Sequence, residues 1–146
     1  MKHKLIETGI QLFDQNGFKS TSVLDIVQLL GVTKGTFYYY FNSKEELLKD
    51  IHLIYIEGLV QQQEKIIQNL KTTYTQKLNE IVRLLIRNIR TERQSARIFT
   101  REMRHLSDKY INEIKEKRSE FRKNTQKLIE DGYSRVNSNK DYIPIL

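Results

Sequence analysis

Proline is almost absent from this chain, and its absence restricts the fold more than any other feature of the sequence. The single proline among the 146 residues is Pro144, close to the end, and only six residues are glycine. A proline inside a helix removes a backbone hydrogen-bond donor and breaks the helix, so the long proline-free stretch leaves room for nearly continuous helix. The sequence therefore predicts an all-α fold.

Apolar residues recur at helical spacing in seven segments, which short polar signals separate. The predicted helices cover residues 3–16, 23–30, 34–41, 43–70, 74–90, 94–106 and 108–132. Ser22 and Ser43 each begin a pattern that resembles a capping box, in which a side chain caps the first turn of the helix. Gly31 and Gly132 are expected to end helices. Three short helices followed by a long one are typical of a helix-turn-helix module.

Residues 31–41, with the sequence GVTKGTFYYYF, form the most unusual stretch. On a helix Phe37 and Phe41 share one face, which we expect to pack against the first two helices. The outward face then carries a lysine, a glycine, a threonine and two tyrosines. Hydroxyl and ammonium groups can reach base edges and phosphate oxygens in a DNA groove. The open alternative is a surface helix of some other small bundle.

The chain is basic, with a net charge of +7, but the excess is not concentrated near the tyrosines. Residues 1–45 hold five lysines against four acidic side chains, and residues 92–146 hold thirteen basic against nine acidic side chains. An anionic partner is favoured, although bulk charge alone cannot hold it at the tyrosine segment. With no cysteine, no leader pattern and no apolar run long enough to span a bilayer, we expect a cytoplasmic protein without a membrane partner.

Several turn, cap and aromatic positions coincide in register with a known family. The sequence resembles the TetR/AcrR family of bacterial transcriptional regulators over about its first 50 residues. The positions that carry the resemblance are Ser22-Val23, Asp25-Ile26, the run from Gly31 to Phe41 and the run from Ser43 to Leu48.

The resemblance implies two domains. A three-helix DNA-binding head is expected over residues 1–46, and a helical regulatory, ligand-binding domain over residues 47–146. The last two helices of the family, which form its dimer interface, are expected to be missing. Gly9 departs from the family, which usually has alanine there; we expect this to cost about 1 kcal/mol of local helix stability without removing a contact.

The resemblance also assigns DNA contacts by position. The residues expected to hold base edges or phosphates are Ser22, Thr33, Lys34, Gly35, Thr36, Tyr38, Tyr39, Tyr40 and Lys44. Two of these assignments have alternatives. Tyr40 could be a partly buried residue at the rim of the core, and Lys44 a solvated residue of the capping box.

A ligand pocket is implied in the second domain. Its expected lining residues are Tyr55, Leu59, Ile86, Phe99, Met103 and Phe121, which could equally be ordinary core. Arg97 and Arg101 belong to a row of arginines around residues 90–104, and stretch 99–118 resembles regulators that sense acyl-coenzyme A thioesters. An apolar cavity with a basic mouth would suit such an effector. The alternative is a solvated arginine face paired with Glu92 and Glu102.

The resemblance implies a non-enzymatic repressor that binds a palindromic double-stranded operator as a homodimer and responds to an amphipathic small molecule. We expect no catalytic residue, metal or cofactor. Two rival classes stay open. His105 with Glu102 and Asp108 has a spacing compatible with a metal enzyme, and the head could instead belong to an adaptor that binds a partner protein.

Overall fold

Every regular element that the structure describes is helical, as the sequence predicts. The structure, a computed structural model, describes the backbone of residues 1–140 and the side chains of residues 1–135. The elements are α1 (Lys2–Asn16), α2 (Val23–Leu30), α3 (Lys34–Tyr40), α4 (Lys44–Gln68), α5 (Tyr74–Thr91), α6 (Arg93–Arg101), one 3₁₀ turn (Met103–His105) and α7 (Asp108–Lys140). Pro144 lies outside the described residues.

The head, made of α1 to α3 and the start of α4, shares one hydrophobic core with the rest of the molecule, which we call the body. Phe13, Phe37 and Leu47 are fully buried together in the head. Ile98 of α6 and Ile114 of α7 belong to the same buried cluster. The domain boundary expected after residue 46 lies in the first turn of α4, so helix and core both continue across it.

The long helix α4 is continuous through Gly58, the position that made its middle uncertain from sequence. Its start is capped by Ser43, whose side chain accepts from the Glu46 backbone N–H. The Glu46 carboxylate does not return the bond to Ser43, as a capping box would require, but accepts from the backbone N–H of Asn42 at 3.2 Å. Half of this predicted capping box is therefore present, and the other half is displaced by one residue.

Two helix ends differ from the prediction by more than two residues. The helix expected over residues 94–106 stops at Arg101, and a 3₁₀ turn follows. Gly132 does not end α7, which continues to Lys140. A side chain at Gly132 would bring its Cβ within 3.1 Å of the Tyr74 Cβ, so this glycine permits close packing of α7 on α5 and is not a stop signal.

The apolar residues of α5 divide between a buried face and an exposed one. Ile81 and Leu84 are buried against the body. Four others are 38% to 62% exposed: Val82, Leu85, Ile86 and Ile89. The inward face also carries Lys77, whose ammonium donates to the backbone carbonyl of Asn69. Periodicity places all these residues on a helix but does not say which side meets the core.

A buried polar side chain joins α4 to α7. Gln63 is completely buried, and its amide nitrogen donates to the Phe121 carbonyl at 2.9 Å and to the Thr125 hydroxyl at 2.8 Å. Its amide oxygen accepts from the Asn124 side chain at 3.1 Å. Because a buried amide without partners is costly, this satisfied network fixes the register between the two helices.

Candidate nucleic-acid interface

The helix α3 separates its aromatic residues between two faces, as the sequence predicts. Phe37 and Phe41 are 0% and 1% exposed and pack into the shared core. Tyr38 and Tyr39 are 52% and 81% exposed. A seven-residue helix with two phenylalanines anchored behind it thus presents phenol groups to the outside.

The turn before α3 is built by local signals that the sequence identifies correctly. Gly31 has φ 77° and ψ 31°, the left-handed conformation in which glycine is favoured. The next residue, Val32, donates its N–H to the Val27 carbonyl at 2.9 Å. Thr33 then caps α3, because its hydroxyl oxygen accepts from the Thr36 backbone N–H at 3.3 Å. These bonds fix the turn between α2 and α3.

The start of α2 carries the complete capping box expected from sequence. The Ser22 hydroxyl accepts from the Asp25 N–H at 2.9 Å, and the Asp25 carboxylate accepts from the Ser22 N–H at 2.8 Å. These bonds to Ser22 hold the pKa of Asp25 below its ordinary value. Ser22 is exposed, and its hydroxyl proton is still available for an acceptor such as a phosphate oxygen.

The polar residues of α3 line the surface beside the tyrosines. Lys34 and Gly35 are exposed. Lys34 makes no ion pair among the side chains of residues 1–135. The hydroxyls of Thr33 and Thr36 lie 3.2 Å apart and share one proton between them, so the other proton can be donated outward. Cation, glycine and hydroxyls therefore form one continuous polar strip.

Tyr40 was expected either to contact a phosphate or to lie partly buried at the rim of the core. It is half-buried and packs against the shared core, while the ring of Tyr39 meets it edge-on with 4.8 Å between centroids. The ring of Tyr40 therefore lies at the rim of the core, the position expected as the alternative to a phosphate contact.

Lys44 has internal partners that the sequence could not indicate. Its ammonium donates to the Phe18 backbone carbonyl at 2.7 Å and lies 4.1 Å from the centre of the Phe18 ring. Burial there lowers the pKa of Lys44. The two residues are 26 positions apart, so no local pattern predicts the contact. Lys44 primarily fastens the loop after α1 to the start of α4.

Four of the expected ligand-site residues meet in the body. Leu59 is buried, and Tyr55, Phe99 and Phe121 pack around the same cluster. The rings of Tyr55 and Phe99 have centroids 4.8 Å apart. Met103 lies elsewhere, against the core shared with the head.

Ile86 does not join that cluster either. Its side chain is 55% exposed, because Leu84 and Ile81 are the residues that α5 turns inward. In the described chain Ile86 therefore lies apart from the cluster around Phe99.

Arg97 and Arg101 are held by an acidic partner that sequence reasoning missed. Both guanidinium groups pair with the carboxylate of Asp14 in α1, at 2.7 and 3.2 Å. The row of arginines had suggested an external anion or pairing with Glu92 and Glu102. Glu102 pairs with His105 at 3.2 Å. Asp14 precedes Arg97 by 83 positions, so only the fold brings them together.

His52, which is fully buried, and Arg118, which is half-buried, are groups that the sequence did not single out. The His52 Nδ1 lies 2.9 Å from the Leu48 carbonyl. Because a carbonyl only accepts, Nδ1 carries the proton and Nε2 remains an acceptor. Neither Nε2 of His52 nor Nε of Arg118 has a protein partner among the described residues. Both groups contact Phe99: the His52 ring lies 5.6 Å away and the Arg118 guanidinium carbon 4.0 Å from the ring centre.

Burial sets the ionisation of these two groups. It lowers the pKa of His52 below 6.5 and lowers that of Arg118 as well. The Arg118 cation adds to the effect on His52. The interior around Phe99 thus combines an aromatic ring, one neutral imidazole acceptor and one guanidinium whose Nε donor is unpaired.

An open groove lies away from this cluster. It encloses about 1060 Å³ where the end of α4, the start of α5 and the second half of α7 meet. Leu78, Leu128 and Ile129 provide part of its apolar lining. None of the expected ligand-site residues lines it. Within residues 1–140, no helix combines the length and the apolar character that crossing a bilayer requires.

Two family models match the chain in sequence. The model described as "Bacterial regulatory proteins, tetR family" matches residues 5–51, which include the whole of α3. The model described as "Tetracyclin repressor-like, C-terminal domain" matches residues 71–141.

Relatives and solved structures agree with these matches. The chain is 32% identical to the probable HTH-type transcriptional regulator YttP of Bacillus subtilis, over 70% of this chain and 50% of that protein. It is 25% identical to the HTH-type transcriptional repressor KstR2 of Rhodococcus jostii, over 88% of this chain and 63% of that protein. The crystal structure of the TetR family transcriptional regulator PfmR from Thermus thermophilus matches with a TM-score of 0.83 and 25% identity, over 90% of this chain and 71% of that one.

The chain therefore spans 63% or less of the length of these two curated relatives. Both of its halves match models of one family, and its helices superimpose on a solved member of that family. The chain belongs to the TetR/AcrR family of bacterial regulatory proteins.

Proposed function

We propose that this chain is a transcriptional repressor that holds double-stranded operator DNA with α3 and releases it when a small molecule binds the body. The observation that carries the proposal is the division of α3 into two faces. Phe37 and Phe41 anchor the helix, while Tyr38 and Tyr39 are exposed. The exposed phenol rings of Tyr38 and Tyr39 are largely outside the core, whereas a DNA surface would provide sugar faces and phosphate acceptors for them.

The polar strip on α3 has the chemistry of groove recognition. Lys34 can donate to guanine or phosphate oxygens, and Thr36 can donate to a base edge or contact a thymine methyl group. Gly35 between them has no side chain, so the DNA can approach the helix backbone closely. Ser22 and Tyr39, which are both exposed, would contact phosphate oxygens at the margins of this strip. Lys44 contributes mainly by fixing the loop at Phe18.

A short recognition helix reads only a few base pairs, so one head gives little specificity. Two heads related by a two-fold axis would read two half-sites about one helical turn apart, or a multiple of it. The proposal therefore includes a homodimer and a palindromic operator.

The contacts between head and body provide a route for release. Glu45 at the start of α4 accepts from the Ser107 backbone N–H at 2.7 Å, and Asp14 of α1 pairs with Arg97 of α6. A displacement of α6 relative to α4 would therefore change the orientation of α1 and the head. If this alters the spacing of two recognition helices, base and phosphate contacts are lost together.

We propose that the effector is an amphipathic small molecule, such as an acyl-coenzyme A, that enters beside Phe99. The unpaired Nε of Arg118 and Nε2 of His52 support a polar group at that place. A carbonyl or carboxylate would pair with the guanidinium and a hydroxyl with the imidazole. The phosphates of a coenzyme would additionally require Arg97 or Arg101 to leave Asp14, which would itself open the contact between α6 and α1.

Operator binding is tested by footprinting the chain on DNA that flanks its own coding region. We expect protection of an inverted repeat, with half-sites about ten base pairs apart or a multiple of this. Protection that is absent, or that does not depend on sequence, would contradict the proposal.

The effector is tested separately by thermal shift with acyl-coenzyme A thioesters of several chain lengths. A thioester that stabilises the chain should also release the footprint. If no thioester shifts the unfolding midpoint, the acyl-coenzyme A assignment is wrong and the operator assignment is unaffected.

A further inference from the structure

A polar groove of about 580 Å³ lies between α1 of the head and the junction of α5 with α6. This volume is within the range of small-molecule sites. Neither the cluster around Phe99 nor the outward face of α3 contributes to its lining. We define the α1–α6 groove by six of its lining residues: Gln11, Gln15, Arg90, Glu92, Arg93 and Ser95.

The two walls of the α1–α6 groove are held together by an ion pair. Asp14 lies on α1 one residue before Gln15, and Arg97 lies on α6 two residues after Ser95. Arg97 donates to both carboxylate oxygens of Asp14, at 2.7 Å each. The groove is therefore already formed before a ligand enters, which reduces the ordering that binding requires.

A buried hydroxyl without a partner belongs to this groove. Only 8% of Ser95 is exposed, and its hydroxyl forms no hydrogen bond with any other group among residues 1–135. Buried polar groups normally have a hydrogen-bond partner. Because Ser95 lines the groove, its hydroxyl is left for a polar group that enters there.

The start of α6 adds further donors beside Ser95. This helix is nine residues long and no side chain caps its start, so the backbone N–H groups of its first turn lack a partner within the helix. Arg90 and Arg93 are exposed, and neither forms an ion pair among the side chains of residues 1–135. N–H groups at a helix start and guanidinium groups are both typical of phosphate sites.

The lining also carries acceptors, which a bare anion does not need. Glu7 and Glu92 both line the groove. His3 Nε2 lies 2.9 Å from the Glu7 carboxylate, whereas Glu92 forms no ion pair in the described chain. Carboxylates repel a phosphate but accept hydrogen bonds from hydroxyl groups, and the amides of Gln11 and Gln15 can donate as well as accept. The mixed lining therefore favours a ligand that combines a phosphate with several hydroxyls.

We infer that the α1–α6 groove binds a small sugar phosphate. The phosphate would lie at the start of α6 with Arg93 and Ser95, and the sugar hydroxyls would lie against Glu92 and the amides of α1. A nucleotide fits less well, because the described residues that line the groove include no aromatic side chain on which a base could stack. The site is separate from the effector site proposed beside Phe99 and does not depend on it.

Isothermal titration calorimetry of the whole chain tests this assignment with glucose 6-phosphate and ribose 5-phosphate. The better of these two esters should bind at least about tenfold more tightly than glucose, ribose or inorganic phosphate, since each of those lacks part of the contacts. The assignment is wrong if neither ester binds, or if inorganic phosphate binds as tightly as the better ester. Tighter binding of adenosine monophosphate would replace the sugar phosphate by a nucleotide.

Matched arginine variants locate the site. Arg93→Gln should weaken binding of the better ester by about tenfold, as for the loss of a charge-assisted hydrogen bond. Arg87→Gln removes another exposed arginine, which lies on α5 and does not line the groove, and it should leave binding unchanged. Equal effects of the two variants would mean that positive charge attracts the ester without a defined site, and would overturn the inference.

Two further variants separate the start of α6 from the interior of the body. Ser95→Ala removes only a hydroxyl and should weaken binding by about fivefold, while its unfolding midpoint stays close to that of the unaltered chain. Unchanged binding by Ser95→Ala would contradict a phosphate at the start of α6. Arg118→Gln should leave binding unchanged; if it abolishes binding and Arg93→Gln does not, the ester binds beside Phe99 and the inference is wrong.

Discussion

Arg97 of α6 donates two hydrogen bonds, each 2.7 Å long, to the two carboxylate oxygens of Asp14 in α1. The Asp14 side chain is only 8% exposed, and Arg101 approaches the same carboxylate at 3.2 Å. Such paired bonds fix orientation as well as distance. This contact therefore connects the recognition head directly to the body, independently of α4.

Acid should weaken this connection. The hydrogen bonds from Arg97 and the charges of Arg97 and Arg101 hold the pKa of Asp14 below its ordinary value of 3.8. A carboxylate with a lowered folded pKa stabilises the protein above its unfolded pKa, and the contribution is lost as the pH falls through the folded value. Urea unfolding between about pH 5 and pH 2 should show this loss for the unaltered chain and a smaller loss for Asp14→Asn. As a control, Asp131→Asn removes an exposed carboxylate and should keep the full loss.

His52 should impose a second pH dependence, nearer neutrality. Burial lowers its pKa below 6.5, so the unfolded chain takes up a proton at a higher pH than the folded chain. The free energy of unfolding should therefore fall as the pH drops below about 6.5, by at most about 1.4 kcal/mol per pH unit. This fall in the free energy of unfolding should be smaller in His52→Leu. It should be unchanged in His3→Gln, which alters a highly exposed residue. If the free energy of unfolding of His52→Leu still falls in this pH range, another group causes the effect.

The Gln63 network should contribute strongly to stability. Gln63→Ala leaves Asn124 and Thr125 without their partner and opens a void between α4 and α7. We expect a loss of about 1–3 kcal/mol in the free energy of unfolding, the usual cost of unsatisfied buried polar groups. Gln62→Ala removes the exposed neighbour, which bonds the Gly58 carbonyl of its own helix at 3.2 Å. If both variants unfold at the same urea concentration, the network does not stabilise the chain.

Local signals made the head predictable. The caps at Ser22 and Thr33 act over three residues, and the left-handed turn at Gly31 depends on one residue. The burial of Phe37 and Phe41 agrees with their four-residue spacing, although Phe41 is the C-cap of α3 and not part of the helix. These interactions join residues that are close together in the sequence, so the sequence pattern was sufficient to predict them.

Contacts between distant segments were not predictable in this way. Gly9 was expected to cost helix stability without any effect on contacts, yet a Cβ added there would lie 2.8 Å from Cδ2 of the buried Leu47. The glycine therefore allows α1 and α4 to approach closely. The pairing of Lys44 with Phe18 likewise depends on how helices meet in space. A periodic pattern gives the apolar positions of a helix, whereas the neighbouring helices decide which of those positions are covered.

The most direct test of DNA binding by the outward face of α3 compares three variants in operator affinity and in thermal unfolding. Tyr38→Ala truncates a side chain that is 52% exposed, Tyr133→Ala truncates an exposed tyrosine on α7, and Phe37→Ala truncates a fully buried ring. Phe37→Ala should cost about 3–5 kcal/mol of stability.

We expect Tyr38→Ala to reduce operator affinity by at least about tenfold, equivalent to the loss of about 1.4 kcal/mol, while its unfolding midpoint stays close to that of the unaltered chain. Tyr133→Ala should change neither quantity. If Tyr38→Ala is fully folded and binds the operator as tightly as the unaltered chain, the assignment of this face to DNA is wrong.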